Sequence, residues 1–381
     1  MILQNTLKVL SLLTVVAVAG TNTTQAQTTA PINIVTTAVP FLRISPDARA
    51  GGMGDAGIAI SPDANSGFWD LAKIPFATQN DAIGLTYTPW LKDIASDVFL
   101  ATLAGYHKLD EESAISGSLR YFNLGSIQFV DYNGNLTGNG RPREFALDFG
   151  YSRKVATNIG IGVALRYINS ALANGAVSNG VTYKAGNAVA ADLSVYGNNT
   201  NEAGAGLTWG VAISNLGSKI GYTNNAQAKD YIPANIGGGI AYTWAFQEIN
   251  KFTLTADVNK LLVPSPPVFT GDPAVDDAAL NDYRTQSIFA SWGKSFSNKA
   301  YSFSAGAEYT YNDQFSARAG YYKDTKEMGD RSYFTAGVGL KYQVFGFNFS
   351  YLAPSGSGVT RNPLSNTLRF SILFDLDNSG Q

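Results

Sequence analysis

The chain has 381 residues, 45% hydrophobic and 15% charged, with 39 glycines, 20 tyrosines, 21 phenylalanines, one histidine and no cysteine. Without cysteine there is no disulfide framework, no cysteine zinc site and no thiol nucleophile, and a lone histidine argues against histidine-rich metal sites and Ser/His/Asp relays. The 27 basic and 29 acidic side chains include no run of Lys or Arg able to follow a phosphate backbone, so nucleic acid is not an expected partner.

Residues 1–26 read as a cleaved secretory signal: Lys8 supplies the positive region, Val9 to Ala19 an apolar stretch, and Thr24-Gln25-Ala26 a small-x-small cleavage site. The stretch is short against the ~20 residues of a spanning helix. A leader is expected over 27–40, then a plug, or hatch, over 41–80 that does not alternate and is rich in small residues. Its Gly52-Met53-Gly54-Asp55-Ala56-Gly57 matches G-x-G-x-x-G, but the strand, helix and later acidic residue of a dinucleotide-binding βαβ unit are missing around it. Small residues suit a plug inside a narrow lumen, where Arg43, Asp47, Arg49, Asp55 and Lys73 are available to pair with lumen charges.

From about Ala82 to Phe374 the chain repeats short segments with one apolar parity. Phe145, Leu147, Phe149 and Tyr151 alternate with Ala146, Asp148, Gly150 and Ser152; Ile159, Ile161, Val163, Leu165 and Tyr167 alternate with Gly160, Gly162, Ala164 and Arg166. A soluble sandwich would fill the second face with Lys, Glu and Thr, whereas here it is mostly Gly, Ala and Ser. Tyr and Trp also gather at segment ends, as in Tyr87/Trp90 and Tyr242/Trp244, where a membrane interface would hold them. The expected fold is therefore all-β: an antiparallel transmembrane β-barrel over 81–376, in the outer membrane of a Gram-negative bacterium.

By parity the inward face carries Arg120, Arg166, Arg318, Lys341 and Arg369 against Asp148, Asp192, Asp257 and Glu308. Such balance argues against a charge-selective pore and fits charges paired with each other or with the plug. Fifteen segments can be counted, one more than an even-numbered barrel allows, and the weakest, 286–296, has no clean face. Without it fourteen strands remain. Tight turns at Asn312-Asp313 and Phe345-Gly346 then fall on the periplasmic side, and long connections at 124–142, 171–187, 216–233, 262–299 and 353–365 face outward.

Two sets of residues carry a family resemblance. The stretch from Pro46 to Ile74, PDARAGGMGDAGIAISPDANSGFWDLAKI, resembles the N-terminal hatch of FadL-like outer-membrane proteins. Gly84 to Ile94, Ser118 to Ile127, Ser304 to Tyr322 and Asn362 to Leu376 resemble one branch of them, PorV (LptO) of the type IX secretion system. Trp69-Asp70-Leu71-Ala72 departs from the Trp-Asn-Pro-Ala of many relatives, which puts the local turn in question. The resemblance implies a fourteen-stranded, non-enzymatic barrel without a cofactor, in contact with outer-membrane lipid and lipopolysaccharide. It would bind the C-terminal signal domain of exported cargo, taking it from a SprA-like translocon to an attachment complex containing the PorU sortase.

Candidate contact residues for such partners are Pro89 and Trp90 in one outward connection and Pro266, Pro267, Phe269, Phe289 and Trp292 in the longest. Once 286–296 is outside the barrel, its Ile288, Phe289, Trp292 and Phe296 need burial against the barrel's own mouth or another protein. Two alternatives stay open. FadL-like uptake of hydrophobic small molecules would be favoured by an open lateral gap and an apolar pocket above the plug. A lipopolysaccharide deacylase would need a nucleophile with a base, and the sole imidazole, His107, falls in an alternating run where an interface side chain is the simpler reading. Asp272, Asp276, Asp277 and Asp282 match no Ca²⁺ loop spacing, and no metal is expected.

Overall fold

The computed structural model describes residues 33–376 apart from 91–96, 131–133, 135, 179, 226–228, 248 and 355–365, so the expected signal segment lies outside the described residues. Fourteen strands close a barrel in which every strand is antiparallel to its chain neighbour and the first pairs with the last. They are β1 (Asp81–Pro89), β2 (Val98–Lys108), β3 (Ser113–Leu124), β4 (Arg143–Ala156), β5 (Ile159–Ala171), β6 (Gly186–Thr200) and β7 (Gly206–Gly217). The second half holds β8 (Asn235–Phe246), β9 (Asn250–Leu261), β10 (Tyr301–Tyr311), β11 (Phe315–Asp324), β12 (Ser332–Tyr342), β13 (Phe345–Pro354) and β14 (Leu368–Leu376).

Alternation sets the faces. Leu165, midway along β5, is 67% exposed on the outer wall, while its neighbour Arg166 is buried inside. A period of two puts every second side chain on the lipid face, and a slip of one residue would turn Arg166 to lipid. The register is carried across without a shift except between Lys154 and Ala156 on β4 and between Ala191 and Leu193 on β6. At the second irregularity Asn215 takes a positive φ of 57° and its N–H donates to Asp192 Oδ1 at 2.7 Å, so the bulge re-aims a lumen carboxylate.

The end that carries both barrel termini has short turns. Asn312 and Asp313, both at φ 51°, make the tight β10–β11 turn, a conformation that matches strand twist. The β12–β13 turn is at Gln343–Val344, not Phe345-Gly346: Phe345 already pairs with Tyr342, and Gln343 takes the positive φ of 53°. The opposite end carries the long connections, three of which form two-stranded ribbons, such as Ile127–Val130 with Leu136–Gly140. The 286–296 segment joins no sheet; it lies in an insert with two helices.

The hatch fills the lumen with short turns instead of a regular core. Pro40–Arg43, Ser66–Phe68 and Leu71–Phe76 are 3-10 turns, and α1 (Ala48–Gly51) is a single turn capped by Asp47, whose carboxylate accepts from Ala50 N at 2.9 Å. Asp70 resolves the departure at Trp69-Asp70-Leu71-Ala72. Its carboxylate accepts from Ala72 N at 2.9 Å, capping the turn without a proline, and Leu71 is buried with Ile74 against the wall.

Candidate functional site

Hatch and wall are joined by hydrogen bonds from the hatch backbone to side chains of the wall. Ala48 N donates to Ser371 Oγ at 3.0 Å, Gly54 N to Thr335 Oγ1 at 2.8 Å, and Gly57 and Ile58 N to Asp257 Oδ2 at 2.8 and 2.9 Å. The contact is close enough that a Cβ on Gly320 would fall on the Met53–Gly54 peptide, and Gly54 itself holds φ 70° against the backbone of Tyr321. Gly52 and Gly54 of the G-x-G-x-x-G run thus serve close approach of plug to wall, whereas Gly57 makes room for Trp69 of the hatch itself.

The charged residues form three groups. Arg166 on β5 lies between Asp148 on β4 and Asp192 on β6, with NH2 3.0 Å from Asp148 Oδ2 and 2.9 Å from Asp192 Oδ2. Glu308 on β10 joins wall to hatch: Oε1 is 2.9 Å from Arg49 NH2, Oε2 is 3.1 Å from Arg49 Nε and 2.6 Å from Arg318 Nε, and Arg49 also reaches Asp63 at 3.2 Å. The third group is looser. Arg369 on β14 approaches Asp55 only to 3.7 Å, while Asp55 accepts from the Tyr333 hydroxyl.

The other two plug cations and Asp47 do not meet lumen charges. Lys73 Nζ donates to the Gly57 carbonyl at 2.7 Å, Asp47 takes the Trp69 indole at 2.7 Å, and Arg43 has Met328 Sδ at 3.6 Å. Folding the hatch back on itself satisfies Lys73 and Asp47 locally. Lys341, near the short-turn end, pairs with Asp375 at 2.6 Å and is part-exposed.

A chamber of about 420 Å³ opens between the leader and the start of the hatch over residues 34–46, the hatch near Trp69 and the inner wall. Asn33 and Val35 tie the leader to the long-loop end, donating to the Pro266 and Glu327 carbonyls at 2.5 and 2.9 Å, and Ala38 N donates to Tyr231 O at 2.9 Å. Trp90 is buried here, edge-on to Phe122 at 6.4 Å, in the cluster that holds Phe41 and Leu42. It is therefore an anchor for the junction of leader and hatch and not an outward contact, because Val39, Phe41 and Leu42 supply the apolar partners. Pro89, the last residue of β1, is half-buried beside it.

The β9–β10 insert carries α2 (Pro273–Thr285) and α3 (Ile288–Ser295). One side docks on the barrel's own mouth. Lys219 Nζ caps the end of α2 through the carbonyls of Arg284 and Gln286 at 2.6 and 2.7 Å, Tyr231 stacks edge-on with Tyr283 at 5.1 Å, and Tyr231 OH bonds Ser291 Oγ at 2.7 Å. Burial lowers the pKa of Lys219 and raises those of Tyr231 and Tyr283, which keeps both phenols neutral donors.

The burial of α3 is inverted. Ser291 and Ser295, four residues apart, face the mouth and are buried, whereas Phe289 is 77% and Phe296 63% exposed, with Phe289 edge-on to half-buried Trp292 at 5.2 Å. Phe269, before α2, is 63% exposed; Pro266 and Pro267 are half-buried. Sequence reasoning found these aromatics but not the serines, Tyr231 and Lys219 that hold the helix this way round; a small residue at i and i+4 was the available signal.

Asp276 is spent on its own loop, accepting from Thr270 N, Thr270 Oγ1 and Gly271 N at 2.7, 2.9 and 3.0 Å, and Asp272 caps α2. Among the described residues no group of three or more His, Cys, Asp or Glu side chains converges. His107 is exposed at the short-turn end, paired with Asp81 at 2.6 Å.

The family described as "Type IX secretion system protein PorV" matches residues 25–268. No curated protein matches the sequence. Among solved structures, the Pseudomonas putida toluene transporter TodX is similar at a TM-score of 0.54 and 10% identity, over 87% of this chain and 99% of that one. The Ralstonia pickettii toluene transporter TbuX gives 0.52 and 12%, over 86% and 97%. At such identities the likeness shows the fold alone, a closed antiparallel β-barrel like those of the two transporters.

Proposed function

This chain belongs to the PorV family of type IX secretion system proteins, and from that premise we propose that it is a non-enzymatic docking barrel in a Gram-negative outer membrane. It binds the C-terminal signal domain of exported cargo at its long-loop end. It takes cargo from a SprA-like translocon and delivers it to the attachment complex that contains the PorU sortase.

The observation that carries this reading is the inverted α3. A helix that buries serines and presents Phe289 and Phe296, with Phe269 exposed on the same insert, leaves large apolar side chains in need of a partner surface. The hatch supports the same reading, since a plug hydrogen-bonded to β9, β12 and β14 leaves the outer end as the place of work. Uptake of apolar molecules is less well supported: each neighbouring strand pair is hydrogen-bonded around the ring, and the chamber above the hatch is lined by arginines.

The test is co-purification from detergent-solubilised membranes with the wild type and a Phe289→Ser/Phe296→Ser variant. The variant should fold and melt like the wild type, because both rings are solvent-exposed, yet lose translocon and cargo chains. Retention of all partners by the folded variant would refute α3 as the contact. Absence of secretion components from the wild type, with altered permeability to apolar solutes in the variant, would refute the docking reading and favour uptake.

A further inference from the structure

The buried and half-buried arginines of the lumen divide by whether a carboxylate meets them. Arg49, Arg166 and Arg318 each have one within 3.2 Å. Arg43, Arg120 and Arg369 all line the chamber, and among the described residues none has a carboxylate closer than 3.7 Å. Arg120 donates only to backbone carbonyls, Leu42 O at 2.7 Å and Ile44 O at 3.5 Å, and its Nε has no hydrogen-bond partner among the described residues. Arg369 is 2% exposed, and both Nε and NH1 lack partners there. Gly51 makes room for it, since a Cβ at that position would lie 2.7 Å from Arg369 NH1. A fourth lining arginine, Arg331, has Asp324 at 2.6 Å, and among the described residues Asp55 is the only acidic one that lines the chamber.

A buried guanidinium is costly unless its charge is matched and its donors are used. The fork of Arg fits an oxyanion in two-point contact. Arg120 also lies over the Phe68 ring at 4.6 Å and Arg43 meets Met328 Sδ, but neither contact supplies a negative charge, and three guanidiniums against the single carboxylate of Asp55 favour a phosphate monoester, at about −1.5 to −2, over a carboxylate. We propose that the chamber is a binding site for a phosphate group, with Arg369 as its principal ligand and Arg43 and Arg120 completing the positive wall. The phosphate comes either from a small soluble phosphate compound or from a phosphorylated lipid headgroup; Leu42, Ile44 and Leu352 beside the arginines can accept a short apolar chain. The inference is independent of the docking function.

The experiment is isothermal titration of the whole barrel in non-ionic detergent with inorganic phosphate, hexyl phosphate and acetate. Saturable binding of one or both phosphates is expected, with acetate at least tenfold weaker. Inorganic phosphate binding as well as hexyl phosphate identifies the soluble source, and tighter hexyl phosphate the headgroup. Arg369→Gln should weaken binding at least tenfold and Arg369→Lys less, while Arg153→Gln, at an exposed pair with Glu112 remote from the chamber, should bind like the wild type. If Arg369→Gln does not fold, Arg43→Gln, outside the strands, carries the same expectation. No saturable binding, acetate as strong as phosphate, or equal loss in Arg153→Gln would overturn the proposal.

Discussion

Glu308→Gln tests whether the hatch is held by charge. The carboxylate serves two guanidiniums at once, Arg49 from the hatch at 2.9 Å and Arg318 from β11 at 2.6 Å, and the side chains involved are 7%, 13% and 4% exposed. Glutamine keeps the shape but removes the charge, and its amide turns two donors toward groups that only donate. Removing one partner of a buried pair costs about 3–5 kcal/mol. Arg49 retains Asp63 at 3.2 Å and the Ser61 carbonyl at 3.0 Å, so the hatch side keeps part of its support and the lower end applies. A loss of about 3 kcal/mol raises the population of released hatch roughly a hundredfold. The purified barrel should unfold at lower urea and show added openings in planar-bilayer conductance. Combining it with Arg318→Gln, which removes the stranded charge, should recover part of the loss. A Glu308→Gln barrel as closed and as urea-resistant as the wild type would refute the argument that this triad secures the plug.

Other changes probe other levels. Leu165→Arg, on the lipid face midway along β5, should destabilise the inserted barrel by about 2–4 kcal/mol in lipid-vesicle unfolding titrations, and unchanged stability would mean the faces are reversed. Gly320→Val should leave the strands paired, as followed by heat-modifiable gel migration, but displace the Met53–Gly54 peptide and raise conductance; a closed Gly320→Val barrel would place the seal elsewhere. At the 71–76 turn, Asp70→Asn should preserve the cap and Asp70→Ala cost about 1 kcal/mol, read as a shift in urea midpoint; equal effects would show that the carboxylate is not acting as a cap.

Much of the architecture is a local property of this chain. Because a strand's side chains alternate and lipid accepts only apolar ones, the face of Leu165 or Arg166 is legible from parity, and an even strand count excludes 286–296. The Asn312-Asp313 turn is legible because both residues tolerate positive φ. Parity also puts Arg166, Arg318 and Arg369 on one inner face, but it contains no information about their partners. Arg166 finds carboxylates on both adjacent strands, one of them placed by the Asn215 bulge, whereas Arg369 faces Gly51 and reaches Asp55 only distantly. The second outcome depends on where a non-repeating hatch comes to rest against a strand 323 residues away in sequence at Ala48 and Ser371. The same holds for Trp90, which the junction of leader and hatch covers, and for α3, whose exposed aromatic face follows from Tyr231 and Lys219 gripping the serine side. Periodicity is a short-range signal, and it determined the barrel; the plug contacts, the arginine-lined chamber and the inverted helix arise from long-range packing, which only the closed tertiary structure decides.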